Sequence, residues 1–308
     1  MSRLLDKARY GIRSFLSAKR FDSASVATGA LSGAPIGNLK GKTLFITGAS
    51  RGIGLEIALK AAADGANIVI AAKTADAHPK LPGTIYSAAE AVEKAGGKAL
   101  AIQLDVRDAA LVQKAVDSAA AHFGGIDILV NNASAIYLEK TPHVTAKQYD
   151  LMQQVNVRGT FFTSQACYPY LKKAKNPHVL VLSPPINLQP PWLGDHLAYT
   201  LSKYGMSMCV LGLAQEWASE GIAVNGLWPR TTIATAAIQH MPMGDFLMNR
   251  SRKPQIMADA AYQIFIRDSR GNTGKLLMDD EVLASAGITD LEQYSVQPGS
   301  KLQPDLFI

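Results

Sequence analysis

The chain has 308 residues, 48% hydrophobic and 18% charged, enough to bury one large core as a single α/β domain, and no apolar run approaches the ~20 residues needed to span a bilayer. Its net charge of +6 gathers at the start, where residues 1–38 hold six basic and two acidic residues; the rest is nearly neutral, which argues against nucleic acid as a partner. Two cysteines, Cys167 and Cys209, make no disulfide framework and point to a reducing compartment, and six histidines without metal-ligand spacing give no reason to expect a metal.

Leu4, Leu5, Ala8, Ile12, Phe15 and Leu16 form one stripe at helical spacing, with Arg3, Lys7, Arg13, Lys19 and Arg20 on the remaining surface: a basic amphipathic helix. Ser23, Ser25, Thr28, Ser32 and several glycines follow as a flexible linker ending near Asn38, so the folded body is expected over 39–308. An Arg- and Ser-rich amphipathic start resembles an organelle transit peptide, which points to mitochondria, with the cytoplasm or the peroxisome as alternatives. Arg9, Arg13 and Lys19 interrupt any secretory h-region, while Asp6 and Asp22 keep open a second reading, a helix packed on its own or a neighbouring subunit.

In the body, strands are expected near 43–47, 67–72, 99–105, 127–131, 179–183, 222–228 and 275–278, with helices between most of them. That is the pattern of a Rossmann-type, doubly wound parallel sheet, whose ligands sit at the carboxyl ends of its strands. The first strand runs into Gly48-Ala49-Ser50-Arg51-Gly52-Ile53-Gly54 and then a helical pattern through Leu55, Ile57, Ala58, Ala61 and Ala62. Gly48 suits the tight turn, Gly52 lets backbone approach a phosphate, Gly54 lets the helix lie close to the strand, and the helix start offers free N–H groups to an anion. The glycine spacing is three then one rather than the commoner one then two, and a turn without a ligand is the alternative. Farther along, Tyr199 and Lys203 stand four residues apart and share a helix face. A phenol with a pKa of about 10 needs about 4 kcal/mol in favour of phenolate to ionise near neutral pH, and a neighbouring cation supplies much of that.

Taken in order, these segments resemble the short-chain dehydrogenase/reductase family. Leu104-Asp105-Val106 after the third strand, Asn131-Asn132-Ala133-Ser134 after the fourth, Asn156 within a helix, Tyr199 to Lys203, and Asn225 to Pro229 after the sixth strand agree with it over about residues 39–280, although Ser134 stands where the family usually has Gly. Strings such as His78-Pro79-Lys80-Leu81-Pro82-Gly83-Thr84, Leu182-Ser183-Pro184-Pro185 and Leu302-Gln303-Pro304-Asp305 are similar to a hydroxysteroid dehydrogenase-like subgroup whose longer members continue into a sterol-carrier domain. With the chain ending at Ile308, a lipid-carrier function is not expected in it.

The resemblance implies hydride transfer between a nicotinamide and a carbonyl or alcohol. Tyr199 would be the proton donor, Lys203 would tune the phenol and bind the nicotinamide ribose, and Asn156 would complete a proton relay. Gly48, Ser50, Arg51, Gly52, Ile53 and Gly54 would hold the pyrophosphate, Asp105 and Val106 the adenine end, and Asn132, Ala133, Ile233 and Thr235 the rest of the cofactor path. Enzymes of this architecture that select NAD end the second strand in a carboxylate; here Ala72 is followed by Lys73, and Arg51 lies in the glycine turn, so two cations and no acid favour NADP(H). The family's substrate-polarising Ser or Thr stands about thirteen residues before the Tyr; Ile186 has that spacing, Ser183 lies sixteen before, and Pro184 and Pro185 stiffen the segment between, so Ser183 is the remaining candidate. Pro190, Pro191, Trp192, Leu193, Trp228, Met241, Met243, Phe246, Leu247 and Met248 suit a lipophilic ketone or fatty-acyl derivative, or else a lid or subunit contact. The family pairs subunits through the helices carrying Asn156 and Tyr199, which implies a homodimer or homotetramer. The expected function is an NADP(H)-dependent carbonyl reductase or alcohol dehydrogenase, and the alternative, prompted by the serine spacing, is a catalytically weak NADPH-binding sensor or scaffold.

Overall fold

The computed structural model describes residues 30–77 and 81–308. Seven strands, β1 (Thr43–Thr47), β2 (Asn67–Ala72), β3 (Lys98–Gln103), β4 (Ile128–Asn131), β5 (His178–Val181), β6 (Ala223–Trp228) and β7 (Leu276–Met278), form one sheet in the order β3-β2-β1-β4-β5-β6-β7. Every pairing is parallel. All residues of β1, β4, β5, β6 and β7 are buried, as near-continuous apolar runs covered on both faces must be.

Successive side chains alternate between the two faces. Leu44 and Ile46 join Ile68 and Ile70 against α1 (Gly52–Ala62) and α2 (Ile85–Lys94), while Phe45 joins Val69 and Leu129 against α3 (Ala109–Phe123). Beyond these, α4 (Ala146–Met152) runs through a wide π turn (Gln153–Arg158) into α5 (Gly159–Leu171). α6 (Leu197–Glu216), α7 (Gln255–Phe265) and α8 (Asp279–Ser285) follow. Each such fully buried Leu, Ile or Phe contributes about 1.5–3 kcal/mol. Capping boxes start α2 (Thr84 with Ser87) and α4 (Thr145 with Gln148), and Asp108 caps α3 by accepting from the Ala110 and Leu111 amides. The start of α1 has no side-chain cap, leaving its first N–H groups for another partner.

Several expected boundaries move. The third strand stops at Gln103, so Leu104-Asp105-Val106 leaves the sheet rather than ending it. The fifth stops at Val181, because the Ser183 N–H turns back onto the Val181 carbonyl at 2.8 Å and Pro184 and Pro185 have no N–H to donate. Asn225 lies inside β6, where its amide ties Asn272 and Lys275 to the strand. The largest change concerns the expected linker, which from Leu31 onward is part of the body. Leu31 is 9% exposed, the Ser32 N–H donates to Asn272 Oδ1 at 2.8 Å, and the Ile36 N–H donates to the Ile266 carbonyl at 2.8 Å. Residues 32–38 are exposed, as a linker would be, but the Asn272 side chain satisfies both backbone groups of Ser32 and ties the segment down. The amphipathic stretch Leu4 to Leu16, the linker residues Ser23, Ser25 and Thr28, and loop residues His78, Pro79 and Lys80 lie outside the described residues.

Candidate active site

The sheet order reverses between β1 and β4, and the glycine turn sits at that switch point. Gly48 (φ +68°) and Gly52 (φ +59°) occupy the left-handed region that disfavours a side chain. At Gly54 a β-carbon would lie 2.5 Å from Asn132 Nδ2 and 3.0 Å from the Gly48 carbonyl oxygen, so only glycine lets α1 pack this close. Asn132 Nδ2 donates to the Thr47 and Gly48 carbonyls at 2.9 and 3.0 Å, and Thr47 Oγ1 accepts from the Asn132 and Ala133 amides, both at 3.0 Å. The ends of β1 and β4 thereby form one clasp. Ser50 is buried below the turn and Ile53 half-buried beside it. Across from Gly52 stands Thr235, whose Cγ2 lies 3.6 Å from the position of a Gly52 β-carbon, with buried Ile233 preceding it. The uncapped start of α1 and the side-chain-free face of Gly52 suit an anionic pyrophosphate.

At the far end of this crevice, Ala72 closes β2 and no carboxylate follows directly. Lys73 Nζ lies 3.3 Å from Asp105 Oδ2, with 63% of the Lys73 side chain exposed. Arg107 holds the same carboxylate through Nε at 3.0 Å and Nη2 at 2.6 Å, and its hydrogen bonds take the Asp105 pKa down to about 2. Arg51 has a role that its position in the sequence does not reveal. Its Nε and Nη2 donate to the Pro82 and Gly83 carbonyls at 2.7 and 2.9 Å, fastening the loop before α2 onto the glycine turn. Val106 packs where Gly159 opens α5: a β-carbon at Gly159 would lie 2.9 Å from Val106 Cγ2.

Tyr199 is the third residue of α6 and Lys203 follows one turn later; they are 4% and 2% exposed. Lys203 Nζ donates to the Leu182 carbonyl at 2.7 Å and lies 5.0 Å from the Trp228 ring centroid. Asn156 sits in the π turn between α4 and α5. Its Oδ1 accepts from the Ala135 amide at 2.8 Å, and its Nδ2 donates to the Ala135 carbonyl and to Ser202 Oγ, both at 2.9 Å. Ser202 Oγ in turn donates to the Tyr199 carbonyl at 2.8 Å. Gly205 permits this approach, since a β-carbon there would lie 2.6 Å from Val157 Cγ2.

Burial, not charge pairing, dominates the electrostatics of the pair. It raises the Tyr199 phenol above its ordinary range and pulls the Lys203 ammonium down to about 7. In this state desolvation sets the direction for both: the two groups are out of water, and each is pushed toward its neutral form. Ser183 lies just past the end of β5, out of solvent. It is fully buried, its Oγ has no hydrogen-bond partner, and that Oγ lies 3.0 Å from the position of a Gly226 β-carbon on the neighbouring strand. Ile186, at the family's serine spacing, is an apolar residue half-buried against the Tyr199 cluster.

The substrate side holds residues that periodicity does not point to. The ring of Phe307 stacks on Tyr199 with centroids 6.1 Å apart and planes at 27°. Tyr204, Trp192 and Trp228 surround it at 5.3, 5.9 and 5.9 Å. Trp192 and Trp228 thus lie where an apolar wall was expected, whereas Met243 and Phe246 are 69% and 48% exposed. Cys167 is buried in α5 and Cys209 half-buried in α6, each a free thiol raised by burial. Among the described residues no cluster of His, Cys, Asp and Glu is arranged to hold a metal ion, and no helix is long and apolar enough to cross a membrane.

The geometry agrees with comparisons to known proteins. The short chain dehydrogenase family model matches residues 42–242. Hydroxysteroid dehydrogenase-like protein 2 of Xenopus laevis is 58% identical over 272 residues, and that of Homo sapiens 56%; each match takes in 88% of this chain and 64% of the relative. The chain thus spans somewhat under two thirds of the length of these relatives. Among solved structures, a short chain dehydrogenase of Mycobacterium thermoresistibile is 53% identical with a TM-score of 0.84, covering 88% of this chain and 96% of that one. One from Mycobacterium paratuberculosis bound to NAD is 25% identical with a TM-score of 0.67, covering 79% of this chain and 98% of that one. The chain belongs to the short-chain dehydrogenase family of nicotinamide-dependent oxidoreductases.

Proposed function

We propose that the chain is an NADP(H)-dependent carbonyl reductase or alcohol dehydrogenase acting on a lipophilic substrate, with Tyr199 as general acid and base. The observation that carries this reading is the Tyr199–Lys203 pair, fixed through Ser202 and Asn156 beside a crevice whose other end is the glycine turn. The glycine turn, Lys73 and Lys203 would hold NADPH there, and the cofactor would supply the hydride. Tyr199, kept protonated by burial, is loaded to donate to a carbonyl oxygen as negative charge develops there. Lys203 in its charged form stabilises the phenolate that results, and Asn156 holds the Tyr199 turn in register. Polarisation of the carbonyl is left to groups other than Ser183.

Preference for the ribose phosphate rests on Ala72, Lys73 and Arg51. Lys73 is the largely exposed partner of its pair with Asp105, which contributes at most about 1 kcal/mol, so Lys73 is free to exchange Asp105 for a phosphate. Two donors of Arg51 hold the loop, and Nη1 remains for an anion. A lipophilic substrate is supported by Trp192, Trp228 and Phe307 around Tyr199 and by the name of the relatives. Assembly as a homodimer or homotetramer is supported by exposed Phe161 on α5 and Leu201 and Met208 on α6; light scattering giving a monomer mass contradicts it. The basic amphipathic start of residues 1–38 is read as a mitochondrial address, tested by imaging the tagged full chain against one lacking Leu4 to Leu16.

A screen of lipophilic ketones and acyl thioesters that follows NADPH oxidation tests the central reading, with turnover of at least one class expected. Tight NADPH binding without any turnover favours the second reading, an NADPH sensor or scaffold, to which the buried Ser183 hydroxyl and the covered Tyr199 lend support.

A further inference from the structure

Tyr199 can protonate a carbonyl only when that carbonyl comes within about 2.6–3.2 Å of its hydroxyl. Yet Tyr199 is 4% exposed, and the ring stacked on it, Phe307, is 3% exposed. The segment Gln303–Ile308 that brings Phe307 there is anchored unevenly. Its first half is held by backbone bonds: Gln303 N–H to the Arg250 carbonyl and Thr232 N–H to the Gln303 carbonyl, both 2.9 Å, and Asp305 N–H to the Arg230 carbonyl at 3.2 Å. Trp228 Nε1 holds the Leu306 carbonyl at 2.9 Å, and beyond it the one hydrogen bond is a long one, 3.4 Å from Asn187 Nδ2 to the Phe307 carbonyl. Phe307 also has φ +71°, a left-handed conformation that disfavours a bulky residue by about 1–2 kcal/mol. Ring packing holds this tip in place against strain.

The structure assigns Phe307 as the specificity-determining residue of this site: its ring occupies the substrate's place on Tyr199, and the ketones accepted are those whose own flat ring can displace it and take the same slot. The assignment rests on the reading of Tyr199 as proton donor. Trp192, Tyr204 and Trp228 meet the Phe307 ring in tilted or edge-on arrangements at 5.3–5.9 Å, a geometry that suits another flat ring better than a flexible alkyl chain. Because the competitor is tethered, the apparent affinity for a ketone is the intrinsic affinity multiplied by the fraction of molecules in which the ring has left.

The test is calorimetric titration of the full chain loaded with NADP⁺, which has no hydride to give a ketone, with benzylacetone and with a linear methyl ketone of equal carbon number, in the wild type, Phe307→Ala and Phe307→Leu, with NADPH oxidation followed separately. If the covered state predominates by about tenfold, Phe307→Ala binds benzylacetone about tenfold tighter, gains less for the linear ketone, and Phe307→Leu falls between. NADPH affinity, measured on the same proteins, stays at the wild-type value and reports that the variants are folded; should Phe307→Ala fail that check, Phe307→Leu decides. No gain for benzylacetone, or an equal gain for both ketones, overturns the assignment. Tighter binding without NADPH oxidation in any form leaves the slot in place and removes the reductase reading instead.

Discussion

The cofactor side of the crevice is a clasp between adjacent strand ends: Thr47 and Asn132 join the turn after β1 to the end of β4, and the sheet order alone brings them together. The substrate side is assembled differently. Tyr199 on α6, Trp192 before it, Trp228 at the end of β6 and Phe307 near the end of the chain meet through side-chain packing, with few hydrogen bonds. One side is held by hydrogen bonds between strand ends, and the other is adjustable because its contacts are interchangeable rings. Cofactor binding should therefore fail sharply when the clasp is touched, whereas substrate preference should drift when the rings are.

The largest effect is expected at Gly54. Valine there drives Cβ into Asn132 and the Gly48 carbonyl, and overpacking of about 3 kcal/mol lowers NADPH affinity roughly hundredfold in a fluorescence titration. Unchanged affinity breaks the claim that the clasp is rigid. A chain beginning at Asn38 instead of Ala30 loses buried Leu31 and the Ser32 and Ile36 hydrogen bonds, and a denaturant melt should show a loss of about 2 kcal/mol with NADPH affinity preserved. Equal stability means that residues 31–36 rest on the body without supporting it. Lys73→Asp should weaken NADPH relative to NADH by about tenfold, or 1.4 kcal/mol, since it places a second carboxylate beside Asp105; an equal loss for both cofactors contradicts the NADP(H) preference.

The smallest effect concerns pH and sharpens the substrate side of the comparison. Burial sets Lys203 at about 7, so the ammonium is present below that value and lost above it. The kcat/KM for carbonyl reduction should fall as pH rises through about 7 in the wild type, and Lys203→Arg, charged throughout, should flatten that limb of the profile. An unaltered profile assigns the titration to another group.

Most of the cofactor side was legible in the sequence because each part of it has a local signature. A β-branched run, three glycines and a helical period locate the turn, and Asn132 follows the next strand but two. What spacing could not convey was the second use of Arg51, since its bonds to Pro82 and Gly83 depend on how a loop returns to the turn. Tyr199, Lys203 and Asn156 were legible as positions and not as electrostatics: four-residue spacing reveals a neighbouring cation but says nothing of the desolvation acting on both groups. Phe307 left no signal, for a ring in an irregular segment has no period, and its partners lie far away in sequence. Residues 31–36 misled for a related reason: they carry no periodic pattern, and the Asn272 side chain that holds the Ser32 backbone lies far away in sequence.

The account stands on Tyr199 as the proton donor, and the most direct measurement is the rate of NADPH oxidation by wild type and Tyr199→Phe on whichever ketone the screen identifies. Removing the hydroxyl keeps the ring stacked with Phe307, so NADPH affinity should hold while the rate falls by about a hundredfold or more, as for a lost general acid. Full activity in Tyr199→Phe contradicts it.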